Sequence, residues 1–237
     1  MFISKELLIS GAETAGISLS ETAVERFDAY AKILVDYNEK VNLTAITAPD
    51  DIVNKHFVDS LYLIKFTDIK GSMKLCDVGT GAGFPGVALL IAEPSLIVTL
   101  FDSVNKKLDF IRFLTKELDL SAEIVTVRAE EAGRKIQYRE KFDVVTARAV
   151  AQLNILSEYC IPLVKKGGIF APLKAVLSPE EEQRGYCAAG NLGAKVERKE
   201  LYSIPDGSER EIVIFRKESA TPPKYPRNAA QISKKPL

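Results

Sequence analysis

The chain has little with which to do metal or redox chemistry: three cysteines and one histidine in 237 residues. Cys76, Cys160 and Cys187 are widely spaced and never form C-x-x-C, so neither a disulfide framework nor a zinc site is indicated. They read as buried small hydrophobes, and no metal is expected. Long apolar runs are absent too, all falling far short of the roughly 18 residues of a membrane span. The first residues, Met1-Phe2-Ile3-Ser4-Lys5-Glu6, lack the basic-then-apolar form of a signal peptide. The expectation is a cytoplasmic location with no membrane partner. Net charge is zero, from 32 basic and 32 acidic groups, so bulk charge does not point to nucleic acid. Its distribution does: acidic groups dominate residues 1–70, whereas after Arg216 and Lys217 the end of the chain carries Lys224, Arg227, Lys234 and Lys235 against Glu218 alone. Such a tail either neutralises phosphates or is a solvated end. No internal repeat or low-complexity segment is present.

Hydrophobic content of 46% and this length suit one full α/β core with room for an appended element. Residues 1–70 read as a helical cap. Val24, Phe27, Ala31 and Leu34 recur at 3, 4 and 3, with Thr22 and Glu25 placed to form a capping box. Pro49-Asp50-Asp51 opens a further helix whose Val53, Phe57, Leu61 and Ile64 share a face. On it lies the only histidine, His56, with Asp59 three residues on and able to orient the ring.

From residue 73 strands and helices alternate. Expected strands are Met73–Val78, Leu96–Asp102, Ile124–Val127, Phe142–Ala147 and Ile169–Lys174, with a hairpin pair after them near Ala194–Ser203 and Arg210–Arg216 joined through Pro205-Asp206-Gly207. The helix from Asn105 to Leu118 turns Leu108, Ile111, Phe113 and Leu114 to the core. Repeated βα units and a closing hairpin imply a mostly parallel, seven-stranded, Rossmann-like sheet with an antiparallel edge. The organisation is a cap (1–70), a sheet domain (71–217) and a basic tail (218–237).

The first strand runs into Asp77-Val78-Gly79-Thr80-Gly81-Ala82-Gly83-Phe84-Pro85-Gly86. Side-chain-free glycines let the backbone approach a ligand, and the helix start offers free N–H groups. Gly81 to Gly86 fits G-x-G-x-x-G, with Asp102 as the acidic residue of a dinucleotide site. Read from Asp77, however, a carboxylate stands beside the loop. It would repel a pyrophosphate and suits a ligand carrying an amino group and a sulfonium, which favours S-adenosylmethionine over NAD. In an open sheet ligands collect beyond the carboxyl ends of the strands. Those ends supply Asp77, Gly79, Gly81, Gly83 and Phe84; Asp102, either as acceptor for two ribose hydroxyls or as a helix cap; Ala129 and Glu130 for the adenine edge or as a helix start; and Arg148.

The (Asp/Asn)-Pro-Pro-aromatic pattern of exocyclic amine methylation and the nucleophilic cysteine of cytosine C5 methylation are both missing after the fourth strand, which ends Thr146-Ala147-Arg148-Ala149-Val150. Guanine N7 has a free lone pair and needs only positioning. Arg148 suits guanine O6 or a phosphate, and Lys106, Lys107, Arg128 and Lys174 suit further phosphates.

The glycine loop resembles the first motif of class I S-adenosylmethionine-dependent methyltransferases. Over nearly its whole length, through Asn38-Glu39-Lys40-Val41-Asn42-Leu43-Thr44-Ala45-Ile46, Lys55-His56-Phe57-Val58-Asp59-Ser60-Leu61, the loop itself, Arg148-Ala149 and the tail residues Tyr225-Pro226-Arg227 and Lys234–Leu237, the chain resembles the bacterial 16S ribosomal RNA guanine-N7 methyltransferases, the glucose-inhibited division protein B family. The resemblance implies N7 methylation of a guanosine in small-subunit rRNA, free or in the 30S particle, with the cofactor touching Gly79, Phe84, Ala129, Glu130 and Arg148. Ala175, where the family usually has Gly, and the interruption Asn228–Ser233 in the tail depart from it. A non-catalytic S-adenosylmethionine-binding module or assembly factor is the alternative, and a dinucleotide oxidoreductase a further one.

Overall fold

Serine hydroxyls start the first two helices. Ser4 accepts from the Leu7 amide ahead of α1 (Lys5–Thr14), and Ser20 accepts from Ala23 ahead of α2 (Glu21–Asn38). The cap of α2 is thus Ser20 and not Thr22, because Ser20 is the last residue with extended backbone. Asn38 then closes the next loop: its side-chain oxygen accepts from the Leu43 and Thr44 amides and its amide donates to the Thr44 carbonyl. Next, α3 (Pro49–Ile52) passes through a π-helical stretch, Val53–Val58, into α4 (Asp59–Phe66). A π turn carries an extra residue and shifts the phase of the helix beyond it, so Leu63 is fully buried and Ile64 only half so.

The computed structural model describes residues 1–237. After the cap come β1 (Lys74–Val78), α5 (Gly86–Ala92), β2 (Ile97–Asp102), α6 (Asn105–Glu117), β3 (Glu123–Thr126), α7 (Ala129–Ala132), β4 (Phe142–Thr146), α8 (Leu153–Cys160), β5 (Val164–Phe170), β6 (Leu173–Lys174), α9 (Pro179–Asn191), β7 (Ala194–Ser203), β8 (Glu209–Lys217) and α10 (Ala229–Lys234). The sheet order is β3-β2-β1-β4-β5-β8-β6, with β7 against the free side of β8. Strands β1 to β5 are parallel and β8 is antiparallel to its neighbours. β6 continues β5 along β8: Ile169 and Phe170 pair with Arg216 and Phe215, then Leu173 and Lys174 pair with Ile212 and Glu211. The expected strand 169–174 is therefore interrupted at Ala171-Pro172, where proline offers no N–H to the ladder. Counted as one broken strand, it leaves the seven-stranded sheet that the pattern implied. No helix is long and apolar enough to cross a membrane.

One face of the sheet and the N-terminal helices share a single core, in which Phe27, Tyr30 and Leu34 of α2 and Phe57 and Leu61 meet Leu75, Leu89, Leu100 and Ile111. Each such fully buried side chain contributes about 1.5–3 kcal/mol. The cap is therefore welded to the sheet, which fixes its distance from the strand ends. On α6 the core residue is Phe110, with Phe113 44% exposed, since positions 110, 111 and 114 already fill the inward stripe. Cys76 and Cys160 are buried as expected, but Cys187 is exposed on α9.

Candidate active site

The glycine loop turns by positive φ at Gly79, Gly81 and Gly83 (71°, 57° and 98°), a region open to glycine. Behind it, fully buried Asp77 accepts from the Thr80 hydroxyl (2.8 Å) and the Gly86 amide (2.9 Å) through Oδ2, and its Oδ1 has no partner. Burial raises this carboxyl to about 6. Asp77 lines neither of the two cavities beside the loop. It staples the loop to the start of α5 and does not face a ligand amine as its position in the motif suggested. Gly83 also faces inward: a side chain there would meet the Tyr30 hydroxyl, which donates to the Ala82 carbonyl at 2.5 Å.

The smaller of these cavities, about 330 Å³, has Val78, Phe101, Val104, Val127 and Val150 as apolar walls, and Asp102, Ala129, Glu130 and Arg128 at its rim. Asp102 is 7% exposed; its Oδ2 accepts from the Gly81 amide (3.0 Å) and its Oδ1 from Val104 (2.9 Å). Each oxygen keeps a second lone pair for a hydroxyl donor. The larger cavity, about 640 Å³, lies between the loop, the cap and β6 and is lined by Thr44, His56, Asp59, Phe84, Arg148, Lys174 and Arg210 among others. Gly79, Lys107 and Ala149 line both, so the cavities meet at the loop. Ala149 has φ 56°, a conformation an alanine adopts at a cost of about 1 kcal/mol or more. Strain of this kind just past β4 is common at functional sites.

The larger cavity is organised around Arg148. Its Nη1 donates to Asp59 Oδ2 (2.9 Å) and to the Lys55 carbonyl (3.1 Å), and its Nη2 donates to His56 Nδ1 (3.0 Å). Tyr202 donates to the other Asp59 oxygen at 2.8 Å. Because a guanidinium only donates, His56 Nδ1 must accept, which leaves its proton on Nε2, 3.0 Å from the Thr44 hydroxyl oxygen. Burial and the Arg148 charge hold the imidazole down at about 3. The ring is therefore neutral, with its basic nitrogen already engaged. One face of the ring is engaged as well: Phe84 stacks on it at 4.4 Å and on Tyr30 at 5.0 Å, while the Arg148 guanidinium lies 5.0 Å from the Phe84 centroid. The expected His56–Asp59 contact does not form; both groups hold Arg148 instead.

Of the four candidate phosphate contacts, Lys107 lines both cavities and Arg128 the rim of the smaller one. Lys106 is exposed and lines neither. Lys174 lines the larger cavity but is tied to Glu181 (2.9 Å) and the Ala151 carbonyl (2.9 Å). Sequence reasoning missed Tyr202 and Arg210, which lie in no local motif, and Thr44 as a partner of His56; it named Asp59, but as the partner of His56 and not of Arg148.

The family model for rRNA small subunit methyltransferase G (GidB) matches residues 23–209. The chain belongs to this family. Relatives with the name ribosomal RNA small subunit methyltransferase G include those of Bacillus velezensis, 45% identical over 98% of each chain, and of Desulfitobacterium hafniense, 47% identical over 93% of this chain and 92% of that one. Among solved structures, a SAM-dependent O-methyltransferase from Thermotoga maritima superposes with TM-score 0.53 at 16% identity, over 80% of this chain and 73% of that one. At that identity the likeness speaks to fold alone, and the fold is the class I methyltransferase sheet.

Proposed function

We propose that this protein transfers the methyl group of S-adenosylmethionine to N7 of a guanosine in 16S ribosomal RNA, free or within the small subunit. The observation that carries the reading, beside family membership, is that a slot suited to an adenosine opens into a larger, cation-lined cavity at Gly79 and Ala149. Asp102 suits the ribose diol, the valine-rich walls the adenine faces, and Ala129 and Glu130 its edge; these residues fit the cofactor. Bound there, it supplies an electrophilic methyl on a sulfonium sulfur.

The chemistry of the larger cavity favours N7. Its histidine and carboxylates are engaged: His56 Nδ1 with Arg148, Asp59 with Arg148 and Tyr202, Glu181 with Lys174. That leaves a poor site for removing a proton from an exocyclic amine. N7 needs no such step: its lone pair forms the N–CH3 bond as the S–CH3 bond breaks, and the positive charge passes to the purine. Arg148 offers its remaining donor capacity to guanine O6 or the attached phosphate, Phe84 backs it, and Lys107 and Arg128 take neighbouring phosphates. A target base swung out of its stack is required to reach this depth.

The test is incubation with labelled S-adenosylmethionine and small-subunit RNA or particles lacking the modification, and then mapping of the label. Label at one guanine N7 is expected. Cofactor binding without label on either substrate would favour the non-catalytic module, and tight NAD binding without methyl transfer the oxidoreductase.

A further inference from the structure

The basic end of the chain is not a free arm. Arg227 folds back onto Glu158, a fully buried carboxylate of α8, which accepts from the Arg227 amide (2.8 Å), Nε (2.9 Å) and Nη2 (2.6 Å). Arg227 Nη1 also donates to the Lys235 carbonyl (2.9 Å), and Asn154 of α8 donates to the Leu237 carbonyl (2.9 Å). Without Arg227, Glu158 would be a buried charge lacking its counter-ion, a costly arrangement. Of the basic groups of this segment Arg227 is consumed within the fold, while Lys224, Lys234 and Lys235 remain exposed.

The segment leans on the wall of the smaller cavity. The helix α7, which brings Ala129 and Glu130 to that wall, is four residues long, far too short to hold itself. Its end is fixed from outside. A Cβ at Gly133 would sit 2.9 Å from Pro226 Cγ, so tail and helix end are in full contact. Arg139 bridges the same junction, donating to the Gly133 carbonyl (2.9 Å) on one side and to the Tyr225 (2.8 Å) and Thr221 (2.7 Å) carbonyls on the other. Thr221 is held in turn by Glu140 and Lys217.

We propose that residues 218–237 are a strap that positions α7, and with it the adenine side of the cofactor site, with Arg227 and Arg139 as its positioning residues. The inference rests on the reading of that cavity as the S-adenosylmethionine site. A strap of this kind acts on cofactor affinity; an RNA-binding tail would act on RNA affinity.

Full-length wild type is measured first by calorimetric titration with S-adenosylmethionine; failure to bind there would sink the cofactor reading itself and not the strap. With binding established, Arg227→Ala and Arg139→Ala are each expected to raise the Kd for S-adenosylmethionine by about five- to tenfold. The KM for RNA, and kcat at saturating cofactor, should stay within about twofold of wild type, and Arg139→Lys should recover part of the loss. Unchanged cofactor affinity in both variants, or an RNA KM that rises while cofactor Kd does not, overturns the proposal. Should Arg227→Ala fail to fold because Glu158 is left unpaired, Glu158→Gln/Arg227→Gln removes both charges together. Arg139→Ala, whose lost partners are neutral carbonyls, gives an independent reading.

Discussion

The two cavities that meet at the glycine loop are built in opposite ways. The smaller one is made by neighbours in sequence or by adjacent strands: Asp102 reaches back 21 residues to Gly81 and two residues on to Val104. The larger one is made by convergence: Arg148 meets Asp59 across 89 residues and His56 across 92, and Tyr202 reaches Asp59 across 143. One is a loop whose own turns give most of its shape, with α7 alone braced from the distant tail; the other exists only once the cap, β4 and the β7–β8 hairpin have docked. Damage to the first should therefore appear in cofactor affinity, and damage to the second in turnover and in fold stability together.

The sharpest way to break that contrast is Arg148→Ala. It removes the cation shared by His56 and Asp59 and leaves Asp59, whose side chain is 3% exposed, with only the longer Arg210 contact (3.9 Å) as counter-ion. Methyl transfer should fall by at least about 100-fold, as for loss of a preorganised group at a reacting centre. Stability in urea should fall by about 3 kcal/mol, the low end for a broken buried pair because Tyr202 still donates to Asp59. Cofactor Kd should stay within about threefold. Undiminished methyl incorporation would remove Arg148 from the proposed reaction.

The mirror experiment is Asp102→Ala. It takes two acceptors from the loop and, on the proposed reading, both from the ribose. Charged hydrogen bonds of this kind are each worth about 1.5–3 kcal/mol, so with both lost cofactor Kd should rise by at least about 100-fold while RNA affinity holds. Equal losses of both affinities would mean that the two cavities are not separable.

The same difference decides what could be read from the sequence. The glycine loop, Asp102 and the start of α7 were legible because a strand, a tight turn and a helix start write themselves into a dozen consecutive residues. The interrupted fifth strand was half legible: the apolar run was plain, but the weight of Pro172 was not. Arg148 was legible only as a cation at a strand end. Nothing local says that it takes Asp59 and His56 as partners, and helical spacing suggested that those two would pair with each other. Asp77 shows the converse limit. The motif put a carboxylate beside the loop, and only packing reveals that it faces backwards, onto Thr80 and Gly86.

A smaller effect tests how tightly the larger cavity is closed. The folded chain holds His56 at about 3, while an unfolded histidine titrates near 6.5. Between those values the unfolded state binds a proton that the folded state refuses. The stability owed to the neutral ring is thus full above about pH 6.5 and is lost as pH falls toward 3, by at most about 5 kcal/mol. Asp77 works in the other direction. With its carboxyl raised to about 6 against about 3.9 unfolded, its destabilising contribution is greatest above pH 6 and absent below about 4. In His56→Gln the Asp77 contribution is left unopposed, so the pH of maximum stability, read from urea midpoints, should move downward. Parallel profiles for variant and wild type would mean that the ring takes up protons freely in the folded state.

The smallest effect separates two adjacent lysines. Lys107 lines both cavities, whereas Lys106 is exposed one residue away on α6 and lines neither. A lysine that neutralises a phosphate releases a condensed counter-ion, so its loss lowers the salt dependence of RNA binding by roughly 0.7 in slope for a single strand. Lys107→Ala should lose about that much and bind RNA severalfold more weakly at low salt. Lys106→Ala should keep the wild-type slope. Equal changes in both would mean that the RNA tracks the outer face of α6 and does not enter at the junction of the cavities, and the larger cavity would then need another explanation for its cations.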